Sequence, residues 1–136
     1  MINIKALLIF FLLLSFAHSK EEYSPKVIDG VINLENYNFK KSGPAKIKGN
    51  WNFYWNKFLK PEDLNEALFK KVKKISVPGL WNANKNFKAY GYGSLFAKVT
   101  GLKKGEKLSI RLQGFSSSFK LFIIQDNKSY FLGGVG

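Results

Sequence analysis

The chain contains no cysteine, which excludes disulfide bonds, thiol catalysis and cysteine-ligated metal sites. Its single histidine, His18, lies in the apolar N-terminal stretch 1–19. If that stretch is removed, no imidazole remains for acid–base catalysis, a catalytic triad or zinc binding. Because the chain has no covalent staples, side-chain packing has to stabilise the fold.

Arginine is almost absent, since Arg111 is the only arginine among 22 basic residues. The chain has 9 acidic residues, so its net charge is +13. Bidentate recognition of phosphate and guanine favours arginine over lysine, so nucleic acid is not an expected partner. The lysines are scattered, with short runs such as 40–41 and 73–74. We expect a solvated basic surface that can contact anionic lipid head groups.

The N-terminal stretch "MINIKALLIFFLLLSFAHS" (1–19) has the three parts of a secretory signal peptide. Lys5 supplies the basic region, an apolar run follows from Ala6, and small residues precede an expected cleavage between Ser19 and Lys20. The alternative is a membrane anchor that is never removed, but crossing a bilayer takes about 20 apolar residues, more than this run offers. The sequence therefore predicts an extracytoplasmic protein, either periplasmic or secreted.

The rest of the chain predicts one domain. Residues 20–26 are polar and indicate a linker, and residues 27–136 carry short strand patterns separated by turn signals, with a bend expected at Gly30. Pro61, followed by two acidic residues, predicts one short helix over about 62–71. This pattern is typical of an antiparallel β-sandwich or jelly roll, an all-β fold. Beyond residue 73 the strands are predicted at 74–77, 94–100, 107–113, 118–124 and 130–132.

Alternation of apolar and polar residues predicts which side chains face the core. Trp51, Phe53 and Trp55 share one face of a strand, which favours core packing over a surface platform. The same rule places Leu95, Ala97 and Val99 on one inward face, and Leu108, Ile110 and Leu112 on another.

The loop 80–93 is the candidate binding site. Aromatic rings offer flat apolar faces and asparagines offer paired donors and acceptors, a combination that suits a small polar ligand or a glycan. For Trp81 the alternative is a core plug after Pro78 and Gly79, and the tyrosines could instead line the end of the sandwich. The candidate residues are Trp81, Asn82, Asn84, Tyr90 and Tyr92.

No enzyme motif is found. The carboxylates fall in no recognisable catalytic spacing, and Glu62 and Asp63 are explained by the first turn of the predicted helix. The glycine-containing segments "GYG" and "GGVG" do not join a strand to a helix as phosphate-binding loops do. We expect neither catalysis nor a cofactor nor a metal.

Four motifs resemble one known module. They are "KGNWNFYWNKFLKPEDL" (48–64), "ISVPGLWN" (75–82), "YGYGSLFAKV" (90–99) and "LSIRLQGFSSSFKLFI" (108–123). Together they resemble the extracytoplasmic sensory domain of bacterial seven-transmembrane receptors with diverse intracellular signalling modules. More distantly, they resemble the sugar-binding jelly roll of some exported glycosidases.

The resemblance implies a galactose-binding-like sandwich that acts as the input domain of a membrane receptor, by analogy carbohydrate-binding. Family domains continue beyond the motif equivalent to "GGVG" with more strands, membrane helices and a signalling module, so the domain is expected to be incomplete at its C-terminus and marginally stable. The alternatives are a small secreted basic protein that associates with anionic envelope surfaces, and a receptor gene fragment without function.

Overall fold

The protein is described by a computed structural model, which covers residues 23–83, 85–114 and 117–136. The predicted signal peptide and its cleavage site lie outside these residues. The described part is mostly strand, as the sequence predicts, and it has a few short helices where the sequence predicts one. In chain order the elements are β1 (Lys26–Val27), β2 (Val31–Asn33), α1 (Phe39–Ser42), β3 (Lys48–Trp55), a 3₁₀ turn (Pro61–Asp63), α2 (Glu66–Lys71), β4 (Lys73–Val77), a second 3₁₀ turn (Trp81–Ala83), β5 (Gly93–Phe96), β6 (Lys98–Thr100), β7 (Phe119–Gln125) and β8 (Lys128–Val135).

Strand β3 is the centre of the largest sheet. Strand β4 pairs antiparallel along one edge of β3, while β1 and β5 pair with different parts of the other edge. The β1–β3 and β2–β6 pairs are parallel, so the expectation of a purely antiparallel fold is wrong. Parallel strands need a long crossover, and the connection from β2 to β6 runs through most of the central sheet.

The chain bends at Asp29 and Gly30, as predicted, with φ angles of 48° and 79°. A Cβ atom on Gly30 would lie 2.0 Å from Asn52 Nδ2, so this position requires glycine. Asn52 is completely buried and accepts a hydrogen bond from Lys74 Nζ, which also donates to the carbonyl oxygen of Phe69 at 3.2 Å. Strand β3 is therefore buried at Asn52 on the face opposite Trp51, Phe53 and Trp55.

One core cluster lies where β1, β2 and β3 meet. Val27, Ile32, Leu34 and Tyr37 are buried there, and Trp51 packs against them. Full burial of an aliphatic side chain such as Ile32 contributes about 1.5–3 kcal/mol relative to exposure. This cluster confirms the inward assignment of Trp51.

The predicted strand 94–100 is divided into two. Strand β5 pairs with β3 and strand β6 pairs with β2, so the chain changes sheets at Ala97. Ala97 packs against the core, but Leu95 and Val99 are 41% and 39% exposed. The single inward face predicted for these three residues is wrong, because that prediction assumes one continuous strand.

Residues 107–113 form no strand in the structure, and Leu108, Ile110 and Leu112 are 40–47% exposed. The predicted strand is wrong here. Alternation of apolar and polar residues indicates which side chains share a face, but a strand also needs a neighbouring strand with which its backbone can form hydrogen bonds. An open cleft of about 400 Å³ separates this segment from the last two strands. Ile110, Leu112, Phe119, Leu121, Leu132, Gly133 and Gly134 line this cleft.

Strands β7 and β8 form the hairpin predicted around "QDNKS". Gln125 pairs with Lys128, and the two turn residues Asp126 and Asn127 have φ angles of 51° and 57°. Two successive positive φ angles are typical of the type I′ turn, whose twist matches that of antiparallel strands. No helix among the described residues is long and apolar enough to cross a membrane.

Candidate ligand-binding site

Four rings pack together where the loop 80–93 meets β3. Two belong to the strand and two to the loop, and we call Phe53, Trp55, Trp81 and Phe87 the aromatic cluster. Trp81 stacks on Phe53 with ring centroids 6.1 Å apart and meets Trp55 edge-on at 5.7 Å. Phe87 contacts Phe53 at 5.1 Å and Trp55 at 5.5 Å. Because Phe53 and Phe87 are buried, the cluster is a second small core that supports the loop.

Trp81 also closes the loop. Its indole Nε1 donates a hydrogen bond to the carbonyl oxygen of Lys88 at 3.0 Å, which joins two positions seven residues apart. Its ring is half-buried within the aromatic cluster, a placement that favours the core-plug interpretation. Of the candidate asparagines, Asn82 is exposed and Asn84 lies outside the described residues.

The two candidate tyrosines flank a glycine that lies on the aromatic cluster. A Cβ atom on Gly91 would lie 2.2 Å from the ring of Trp55, so the backbone of the loop rests directly on the indole. Tyr90 is 93% exposed and Tyr92 is 46% exposed. The loop thus covers the cluster with its backbone and leaves both tyrosines accessible to solvent.

Tyr92 has an aromatic partner that sequence reasoning missed. Phe58 stacks on it with ring centroids 4.6 Å apart and an interplanar angle of 29°, yet Phe58 remains 73% exposed. Phe58 follows the end of β3, so strand alternation says nothing about its direction. The only sign of an exposed ring in the sequence was a bulky apolar residue just beyond the end of a strand. We call Phe58, Tyr90 and Tyr92 the exposed aromatic patch.

One backbone hydrogen bond and two hydrogen bonds of the Ser94 hydroxyl hold the two segments of the patch together. The amide nitrogen of Asn56 donates to the carbonyl oxygen of Tyr92 at 2.9 Å. Ser94 Oγ accepts from the amide of Leu59 at 2.7 Å and donates to the carbonyl oxygen of Lys57 at 3.0 Å. Residues 56–59 are therefore fixed beside 92–94, which preorganises the Phe58–Tyr92 stack.

Two lysines lie over aromatic rings of this region. Lys57 Nζ lies 5.7 Å from the centroid of the Tyr54 ring, and Lys73 Nζ lies 5.3 Å from that of Phe87, both within cation–π range. The nearby carboxylate of Asp63 accepts a hydrogen bond from the backbone of Lys60 at 2.9 Å, where it caps the 3₁₀ turn. In the described ranges, no group of three or more His, Cys, Asp or Glu residues could hold a metal ion.

Comparison of the chain with protein-family models, with curated proteins and with solved structures finds no match.

Proposed function

We propose that the protein is an extracytoplasmic domain that binds a small polar ligand, such as a saccharide, on the exposed aromatic patch. The observation that carries the proposal is the Phe58–Tyr92 stack, which is exposed and yet fixed in place. Stacking covers one face of each ring, while Phe58 remains 73% exposed. Aromatic side chains give a rigid contact area at a low cost in conformational entropy, so this pair suits a flat, weakly apolar ligand face.

The surroundings of the patch supply what a polar ligand needs besides ring faces. Asn82 is exposed on the same loop, and its side-chain amide carries both donors and an acceptor. The aromatic cluster below the loop limits the rearrangement needed on binding, which lowers the cost of association. In this proposal Tyr90, Tyr92 and Phe58 contact the ligand, and Trp81 holds the loop in position.

The receptor role rests on the sequence motifs. The proposal is that the domain has a galactose-binding-like sandwich or jelly-roll ancestry and serves, without catalysis, as the input domain of a membrane signalling receptor. The mostly-β architecture is compatible with this ancestry. The extracytoplasmic location follows from the signal-peptide pattern of residues 1–19, with cleavage near Ser19.

Titration against a panel of soluble oligosaccharides, followed by calorimetry and by intrinsic fluorescence, tests the binding proposal. The double variant Tyr90→Ala, Tyr92→Ala should bind at least tenfold more weakly, a loss of about 1.4 kcal/mol. Phe58→Ala should have a similar effect. The matched control is Tyr130→Ala, since Tyr130 is 49% exposed on the separate β7–β8 hairpin. Binding that is absent in the unsubstituted protein, or unchanged in the patch variants, contradicts the proposal.

A second candidate function is association with an anionic membrane surface, and the β7–β8 hairpin favours it. Phe122 and Phe131 are 41% and 61% exposed with ring centroids 5.3 Å apart, and Lys120 and Lys128 lie exposed on the same hairpin. Apolar side chains can enter the head-group region while each nearby lysine gains about 1 kcal/mol from anionic lipids. Co-sedimentation with phosphatidylglycerol vesicles should be salt-sensitive and should weaken in Phe122→Ser, Phe131→Ser. Equal binding to phosphatidylcholine vesicles would refute this candidate.

A further inference from the structure

The two segments that carry the exposed aromatic patch contain charged residues of one sign. Every charged residue from 36 to 61 and from 67 to 105 is a lysine. These two ranges contain both parts of the patch, namely residues 56–59 and the loop 80–93. A ligand that approaches the patch therefore meets a field of positive charge, which attracts anions and disfavours cations.

Three exposed lysines belong to the two segments that carry the patch. Lys57 is exposed and immediately precedes Phe58, in the segment that Ser94 holds next to Tyr92. Lys88 is exposed in the loop, and its carbonyl oxygen accepts the hydrogen bond from the Trp81 indole. Lys85 is exposed in the same loop. The backbone at two of these three lysines is thus fixed by the contacts that fix the patch.

We infer that the ligand of the exposed aromatic patch is an anionic saccharide, one that carries a carboxylate, phosphate or sulfate group. This inference rests on the proposed function, because it assigns a chemical class to the ligand of the same site. The sugar ring covers the free face of Phe58 or Tyr92, and its acidic group contacts Lys57, Lys85 or Lys88. A neutral saccharide makes the ring contact alone.

The acidic residues nearest to Phe58 in the sequence, Glu62 and Asp63, are outnumbered by these three lysines. They lie in the 3₁₀ turn Pro61–Asp63, where one carboxylate oxygen of Asp63 accepts a hydrogen bond from the backbone of Lys60. Exposed charge pairs contribute modestly, so three lysines together should raise affinity about tenfold over a neutral analogue. The preference should disappear in 1 M salt, where the Debye length falls to about 3 Å.

The test compares the trimer of galacturonate with the trimer of galactose, which differ only in the carboxylate at C6. Calorimetric titration at low salt should give about tenfold tighter binding of the galacturonate trimer, and the difference should vanish in 1 M salt. The triple variant Lys57→Gln, Lys85→Gln, Lys88→Gln should lose the preference and keep its affinity for the galactose trimer. The control Lys120→Gln, Lys128→Gln changes two exposed lysines on the β7–β8 hairpin and should retain the preference. Far-UV circular dichroism establishes that each variant is folded.

The outcomes separate the inference from the proposed function. Equal affinity for the two trimers overturns the inference and leaves the saccharide-binding proposal in place. Failure of both trimers to bind, together with no response across the wider oligosaccharide panel, overturns both. A third outcome is that the protein binds phosphatidylglycerol vesicles through Lys57, Lys85 and Lys88 but does not bind the galacturonate trimer. This outcome assigns the three lysines to lipid head groups and overturns the inference.

Discussion

Replacement of Trp81 by alanine should destabilise the protein rather than remove a ligand contact. The side chain makes two ring contacts, with Phe53 at 6.1 Å and with Trp55 at 5.7 Å. Each aromatic pair contributes about 0.5–1.5 kcal/mol. The hydrogen bond to the carbonyl oxygen of Lys88 adds about 0.5–1.5 kcal/mol. The free energy of unfolding should therefore fall by about 1.5–4.5 kcal/mol. Trp81 is only half-buried, so this range begins below the loss of about 3–5 kcal/mol that is usual for a buried tryptophan.

Urea unfolding followed by far-UV circular dichroism measures this change without relying on the fluorescence of the missing tryptophan. Two further variants calibrate the result. Trp81→Phe keeps a ring in the cluster and loses the indole N–H, so its loss should be about 0.5–1.5 kcal/mol. Tyr90→Ala removes a ring that is 93% exposed and should stay within about 0.5 kcal/mol of the unsubstituted protein.

The reasoning is refuted if Trp81→Ala is as stable as Tyr90→Ala. If that stable variant also loses saccharide binding, Trp81 contacts the ligand and the assignment of the ring to the core is wrong.

Three other predictions follow from close contacts and from the unpaired segment. Gly91→Ala places a methyl group against the Trp55 ring and should cost about 1–3 kcal/mol in unfolding experiments, whereas Ala89→Ser on the exposed part of the loop should cost little. Asn52→Ala and Lys74→Ala should be coupled by about 0.5–3 kcal/mol in a double-mutant cycle, because the two side chains share a hydrogen bond; additive losses contradict this coupling. Backbone amides of residues 107–113, which form no strand, should exchange hydrogen faster than those of β3. Equal protection from exchange in the two segments would mean that 107–113 is paired in a sheet and would contradict this prediction.

Local signals predicted the elements that depend on neighbouring residues. The β7–β8 hairpin follows from Asp126 and Asn127, whose residue types tolerate the positive φ angles of the turn. The helix predicted over about 62–71 from Pro61 and the acidic residues is divided into the 3₁₀ turn Pro61–Asp63 and the helix α2, which begins after Asn65, whose side chain accepts a hydrogen bond from the amide of Leu68 at 3.0 Å. Such signals act within a few residues and can be read from the sequence.

Long-range pairing could not be read in the same way. The segments 94–100 and 107–113 alternate equally well, but the first is shared between two sheets and the second forms no strand. A strand requires a partner whose position depends on the rest of the chain, so alternation alone does not distinguish these outcomes.

In the candidate site too, some features could be read from the sequence and others depended on long-range contacts. By itself the sequence determined that the fold is mostly β, and it determined the aromatic and asparagine-rich segment 80–93 and the excess of lysine around it, because residue type and spacing specify these directly. The tertiary structure alone decided that Trp81 packs on Phe53 while Phe58 joins Tyr92 at the surface. Both contacts join residues that are distant in the chain, and stacking of two rings depends on how the backbone brings them together.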